Sequence, residues 1–271
     1  MLKKLGWAND SWGSFHDLKI PINDRGLNYG DGIFETIFIY KNEPKLLTAH
    51  INRWHKSAAI LGMELPPKKD ALEKIITEII SKKLLENGTG ALRVNWSRGS
   101  NNNRGITIDS DNKCRFWAEL TSLEPSFKII TALISSQERR NANSLVSQCK
   151  SFNYLQSIQA QRLARKEGFD EALLLSTSGE MCCSSTANII VKRKGKLLTP
   201  RIASGCLPGI MREQALKKKL VEEAELSMHP ESGDEWLLIN SLSCNPIHKI
   251  GAIDLTIFKD AQHFWEELLI E

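Results

Sequence analysis

No apolar stretch in this chain approaches the ~18 consecutive residues that a membrane span requires. The opening run Met1-Leu-Lys-Lys-Leu-Gly-Trp-Ala-Asn-Asp also lacks the apolar centre of a signal peptide. The expectation is a cytoplasmic protein without a membrane partner. None of the six cysteines forms a Cys-x-x-Cys pair, and the adjacent Cys182 and Cys183 suit neither a disulfide framework nor a zinc site. Reduced thiols are the natural reading. Glycine-rich phosphate loops are missing as well: there is no G-x-x-x-x-G-K-[ST], and Gly30-Asp31-Gly32 runs on to Glu35 where a dinucleotide fingerprint needs its third glycine. H-E-x-x-H and G-x-S-x-G are absent and the histidines are dispersed, so no metal site is expected. Nor is there a basic patch. The formal net charge is +4, and the longest basic run, Lys217-Lys218-Lys219, is soon balanced by Glu222 and Glu223. That pattern is a solvated helix face, not a nucleic-acid footprint.

What remains is a chain of 271 residues, 41% hydrophobic and 25% charged, long enough for one large domain or two small ones. Ile33–Tyr40, rich in β-branched and aromatic residues, predicts a buried strand. Thr48 is placed to cap a helix bearing Ile51, Trp54, Ala58 and Leu61 at helical spacing. Asp70 opens a second helix, with Gly88 as its stop. Strands are predicted at 92–96, 115–120, 128–133, 171–175, 187–192 and 236–239, and helices at 154–166, 210–224 and 260–269. The polar stretch around Pro125 predicts a linker over 121–127, between a small N-terminal domain (1–120) and a C-terminal domain (128–271). The expected class is mixed α/β (α+β), as two modules meeting at a cleft.

Four segments carry a more specific signal. Residues 24–36 read DRGLNYGDGIFET, residues 50–57 read HINRWHKS, residues 150–175 read KSFNYLQSIQAQRLARKEGFDEALLL, and residues 186–212 read TANIIVKRKGKLLTPRIASGCLPGIMR. In this order they resemble the fold type IV pyridoxal-phosphate family, which includes branched-chain and D-amino-acid aminotransferases and 4-amino-4-deoxychorismate lyase. The resemblance runs from about residue 20 to about residue 250. It implies a small α/β domain, a larger pseudo-barrel domain that binds pyridoxal 5'-phosphate, a small-molecule substrate and a homodimer. Lys150 matches the lysine that the family bonds to its cofactor. That role suits a lysine, whose amine must lose its charge to attack an aldehyde and whose pKa moves readily on desolvation. Arg53 matches the phosphate-binding arginine, a fork suited to two phosphate oxygens. Gly209-Ile210-Met211 begins a helix whose N–H groups would hold the same anion, with Ser241, beside Asn240, on a second phosphate loop. Tyr154 resembles a tyrosine that touches the cofactor ring. Tyr29, Phe34, Arg98 and Arg104 fall where the family meets its substrate, Arg104 being the better match to an arginine that grips a carboxylate.

One position departs from the pattern. Five residues before Asn188 the family carries a glutamate that holds a proton on the cofactor's ring nitrogen; here that position is Cys183, and the nearest carboxylate is Glu180. Glu180 reaching in, Cys183 acting as the partner, a less activated ring, and an inactive relative all remain open. The sequence around Cys182-Cys183, the Gly-Ile-Met-Arg run and Ser-Arg-Gly-Ser near Arg98 are more similar to the aminodeoxychorismate lyases than to the aminotransferases. The resemblance therefore implies release of pyruvate from 4-amino-4-deoxychorismate to leave 4-aminobenzoate. The alternatives are a branched-chain or D-amino-acid aminotransferase, or a cofactor-binding protein without turnover.

Overall fold

The computed structural model describes residues 4–8, 11–81, 85–101, 103–109 and 112–270. They form two units, one of residues 1–124 with 149–153, the other of residues 125–148 with 154–271. The division falls between residues 124 and 125, inside the expected linker, with two details beyond the sequence reading. The sixth strand runs on to Ser122, two residues into the expected linker, and the short segment 149–153 belongs to the first unit, apart from its flanking sequence.

In the first unit, β1 (Lys4–Ala8), β2 (Ser11–Gly13), β3 (Gly32–Tyr40), β4 (Glu43–Pro44), β5 (Gly90–Ser97) and β6 (Arg115–Ser122) build one antiparallel sheet in the order β2-β1-β6-β5-β3-β4. A short helix, α1 (Arg25–Tyr29), precedes β3, and α2 (Leu47–Ile60) and α3 (Lys69–Ser81) follow β4. Strand side chains alternate between faces. Ile33, Ile37, Ile39, Leu92, Val94, Trp96, Ala118 and Leu120 therefore all turn to one side, where they pack with Trp54 and Ala58 of α2 and with Leu72, Ile76 and Ile79 of α3. Thr48 does not cap α2. The helix starts two residues earlier, with Leu46 at the cap in a left-handed conformation (φ 55°), because burying Leu46 and Leu47 draws the turn inward and leaves Thr48 exposed within the helix. Helix α3 is described as far as Ser81, and Gly88, its expected stop, lies in a separate single turn over Glu86–Gly88.

The second unit contains β7 (Ile130–Arg140), α4 (Leu155–Lys166), β8 (Glu171–Ser176), β9 (Met181–Ser184), β10 (Asn188–Arg193), β11 (Lys196–Pro200), α5 (Ile210–Lys217), β12 (Glu222–Ala224), β13 (Glu235–Asn240), β14 (Ser243–Ile250), β15 (Ile253–Asp254) and α6 (Ala261–Leu268). Its sheet follows the order β12-β11-β10-β13-β14-β7-β8-β9, with β15 beside β14. A tight turn from Ser184 N–H to Ala187 O (2.9 Å) links the last strand of that path back to β10, so the sheet curls on itself. Strands β7 and β8 are parallel and joined by α4, as a parallel pair requires. The helix lies close because Ala160, Ala164 and Ala172 meet at the contact.

The helix expected over 210–224 stops at Lys217, with Lys219 left-handed (φ 58°). Glu222–Ala224 then pairs in parallel with β11. Strand β14 escaped the periodicity reading because Pro246 argues against a strand interior. Cys244 N–H points to Ser126 O (2.9 Å), so Pro246, two residues on, faces the same side; pairing with β7 begins only at Ile247, and its missing N–H breaks no ladder bond there. Among the described residues no helix is long and apolar enough to cross a membrane, and no group of three His, Cys, Asp or Glu side chains could hold a metal ion.

Candidate active site

Lys150 is placed by backbone pairing. Phe34 N–H donates to Lys150 O (2.9 Å), Phe152 N–H donates to Gly32 O (2.9 Å), and Ile33 bridges Ser151, so residues 150–152 lie along the start of β3. The Gly-Asp-Gly run allows this approach. Gly30 (φ 67°) closes α1 in the left-handed region that glycine enters without strain. A Cβ on Gly32 would enter the Phe152 ring. Gly32→Ala is expected to cost on the order of 1–3 kcal/mol and to displace the Lys150 segment; a urea midpoint unchanged from the parent would contradict this.

The Lys150 Nζ lies 4.5 Å from the centre of the buried Phe34 ring, and the Arg93 guanidinium carbon lies 3.8 Å from the same ring. Phe152 is 6.2 Å from Phe34 and 5.6 Å from Trp117. Register puts Phe34 beside Asn95, and Asn95 beside Trp117, on the sheet face opposite the helices. On that face Arg93 donates to Asn95 Oδ1 (2.8 Å) and Asn95 donates to Glu119 Oε1 (3.2 Å). The result is an aromatic surface carrying an amine and a guanidinium, suited to a flat anionic molecule. Sequence reasoning missed Arg93. It shares the polar side of β5 with Asn95 and Ser97, a pattern that reads in sequence as a solvated strand face.

Arg53 sits on the helix-covered face, 8% exposed, and is not alone there. Its Nε and Nη2 donate to the two oxygens of Glu35 (2.7 and 2.6 Å), and His50 Nδ1 lies 2.8 Å from Glu35 Oε2. Burial pushes the Glu35 carboxyl up, but the Arg53 charge and the hydrogen bonds from His50 and Arg53 override it and hold the group at about 2. Burial pushes His50 below the usual imidazole range despite Glu35. A neutral His50 beside a carboxylate must carry its proton on Nδ1 and donate it. Glu35 thus fixes the direction of the Arg53 fork. Neither Glu35 nor His50 was singled out from sequence.

The two expected substrate arginines diverge. Arg98 is 8% exposed and engages Asp31 Oδ2 (2.8 Å), Gly62 O (3.0 Å) and Leu61 O (2.7 Å), so its guanidinium is committed to tying β5 to the end of α2. Arg104 is exposed on the loop between β5 and β6. Tyr29, at the end of α1, is also exposed, its ring 5.1 Å from the Arg25 guanidinium carbon. Phe34 is buried in the first unit as described.

In the second unit Tyr154 immediately precedes α4 and is half-buried. Ile210 and Met211 are buried at the start of α5, where Gly209 provides no capping side chain. A Cβ on Gly209 would overlap Asn188 Oδ1, whose amide in turn donates to Leu207 O (2.9 Å), so only glycine lets the Asn188 side chain pack this closely against the backbone before α5. Ser241 lies in a loop shaped by Asn240, whose Oδ1 accepts from Leu242 N–H (2.8 Å). Cys183 is buried on β9. A hydrogen bond with Cys183, together with burial, pushes the Cys182 thiol far up. Glu180 does not reach in: it sits in the β8–β9 turn, where Ser178 Oγ (3.3 Å) and Arg201 Nη2 (3.3 Å) hold its two oxygens.

Comparison with known proteins agrees with this geometry. Residues 32–250 match the family described as amino-transferase class IV. The branched-chain-amino-acid aminotransferase of Escherichia coli is 26% identical over 219 residues, 78% of this chain and 71% of its own length. A crystal structure of the E. coli branched-chain amino acid aminotransferase aligns with a TM-score of 0.86 at 22% identity, covering 97% of this chain and 92% of its own. A Legionella pneumophila structure named "Putative 4-amino-4-deoxychorismate lyase" aligns with a TM-score of 0.80 at 24% identity, covering 93% and 94%.

Proposed function

Since the chain belongs to the class IV aminotransferase family, whose members work with pyridoxal phosphate, we propose that it is a pyridoxal-phosphate lyase that converts 4-amino-4-deoxychorismate to 4-aminobenzoate and pyruvate. The observation that carries the lyase reading is the fixing of Glu180 by Arg201 and Ser178, which leaves thiols at 182–183 where the family's ring-nitrogen carboxylate is expected. The residues fit the cofactor otherwise. The uncapped N-terminus of α5 suits a phosphate, as does the positive charge of Arg53, which Glu35 orients. In this proposal Lys150, Arg53, Tyr154, Ile210, Met211 and Ser241 hold the cofactor, with Cys183 at its ring nitrogen, in a homodimer.

When bound, pyridoxal phosphate supplies an aldehyde that captures the substrate amine and a ring that accepts electrons. The amine of Lys150 takes the proton from the substrate carbon that bears nitrogen. The three-carbon ether group leaves as the substrate ring becomes aromatic, and the Lys150 ammonium returns the proton to it, so that it departs as pyruvate. Aromatisation drives this elimination strongly, and a ring nitrogen without a carboxylate partner is less damaging to it than to transamination. Phe34 gives the substrate ring a flat apolar neighbour, and Arg93 and Arg104 are the guanidinium groups for its two carboxylates.

Incubation of the cofactor-loaded protein with 4-amino-4-deoxychorismate should give both products. Their absence, with cofactor bound and an authentic lyase active in the same mixture, would overturn the reading. The sequence relatives favour a second one, branched-chain transamination. The two separate at Cys183. Cys183→Glu is expected to speed transfer of the amino group from an amino acid to the cofactor by about tenfold or more, followed by absorbance in a single turnover. A parent protein already fast in that half-reaction would favour the aminotransferase.

A further inference from the structure

The buried arginine of the Asp-Arg-Gly run has no part in the chemistry above, yet it is among the least exposed charges of the first unit (3%). Arg25 Nη2 donates to Ile106 O (2.9 Å), Nη1 to Thr107 O (3.1 Å), and Nε to Asp31 Oδ2 (2.9 Å). The same Asp31 oxygen accepts from Arg98 Nε (2.8 Å), and Arg98 holds the carbonyls of Leu61 and Gly62 at the end of α2. One carboxylate therefore joins two buried guanidinium groups. One of them grips the fixed end of a helix; the other grips the backbone two and three residues beyond Arg104. Asn101 closes the loop from its other side, donating to Asn103 O (2.9 Å) and Thr107 O (3.2 Å).

We propose that Arg25 and Asp31 form a latch that positions the loop bearing Arg104, making Arg25 a positioning residue for recognition of a substrate carboxylate. The geometry makes Arg25 a poor substrate ligand, since its three donor nitrogens are turned to the protein's own oxygens. It makes Arg25 a good holder of backbone, because the fork meets two successive carbonyls that a lysine could not span together. Arg104 itself is exposed, and Gly105 beside it takes a left-handed φ of 110°. The direction of Arg104 is then set from behind by the latch, not by packing of its own side chain. That Arg104 meets the substrate rests on the proposed function; the latch does not.

The test has one readout for each part. Full-length protein loaded with cofactor is digested briefly with trypsin, and the cut between Arg104 and Gly105 is followed by mass spectrometry. Arg25→Met and Asp31→Asn are expected to speed that cut about tenfold while the other early cuts keep their rates; Arg25→Lys, which keeps one carbonyl, falls between. In the lyase assay Arg25→Met should raise KM about tenfold, with the loss falling on KM rather than kcat, and should add nothing in an Arg104→Ala background. An Arg104 cut no faster in any of the variants would overturn the latch. An equal KM increase with and without Arg104 would overturn the positioning role. A faster cut in a protein that turns over no substrate upholds the latch and counts against the proposed function instead.

Discussion

Lys150→Ala is expected to lower turnover by at least about a thousandfold, within the range attributed to one positioned proton-transfer group. The reason lies in position as well as chemistry. Backbone bonds from Phe34 and Phe152 fix residues 150–152 along β3, so the amine is carried on sheet rather than on a loose loop, over the face that also presents Arg93. An added amine would not reproduce that placement, and rescue by methylamine should remain partial. Borohydride treatment of the loaded parent protein should leave cofactor mass on the peptide containing Lys150 and on no other. Label on a different lysine, or a Lys150→Ala protein that still turns over, would remove Lys150 from its assigned role.

Glu35→Gln should have the largest effect on stability, about 3–5 kcal/mol, because it leaves the Arg53 guanidinium buried without its countercharge. Chemical denaturation of the two proteins measures it directly. Replacing both partners by apolar residues, Glu35→Leu with Arg53→Met, should restore much of that loss yet leave a protein that holds the cofactor poorly. A double variant with normal cofactor affinity would show that Arg53 has no phosphate to bind.

The same cluster sets the acid response. Both folded-state pKa values are depressed, so both groups stabilise the fold above their unfolded values, and both contributions are lost as pH falls. His50 withdraws first, below ~6.5, because the unfolded chain takes up a proton that the buried ring resists. Glu35 withdraws below ~4.3 and its contribution is gone by about 2. Urea midpoints at pH 7.5, 5.5 and 4.0 should fall at each step, and in Glu35→Gln the decline over the most acidic interval should be smaller. A midpoint flat from pH 7.5 to 5.5 would exclude the His50 contribution.

The legible parts of this chain are those with a local cause. The alternation and β-branching of Ile33–Tyr40 suffice for β3, and the spacing of Leu72, Ile76 and Ile79 suffices for most of α3. Strands whose identity comes from partners were not legible. Glu222–Ala224 reads as more helix because only β11 makes it a strand, and β14 hides behind Pro246. The site divides in the same way. Lys150 and Arg53 stand within recognisable runs of sequence. Arg93 becomes visible only when register brings β5 beside β3, and the commitment of Arg98 to Asp31, Leu61 and Gly62 depends on contacts up to 67 positions away in the chain. Cys183 was legible as a departure, but the answer about Glu180 required Arg201, 21 positions on.

The excursion of residues 149–153 into the first unit bears on how the protein can be made and divided. During synthesis the residues that carry β1–β6 and α1–α3 emerge before the stretch that pairs with Ile33 and Phe34, which comes only after Pro125–Gln148 has followed. Closing that long loop has an entropic cost that local pairing does not, and it delays completion of this edge until β7 exists. Two halves produced by a cut after Glu124 would thus divide Lys150 from the strand that holds it. Complementation of such halves, scored by borohydride labelling, would report directly on whether the second fragment can thread that short segment back into place.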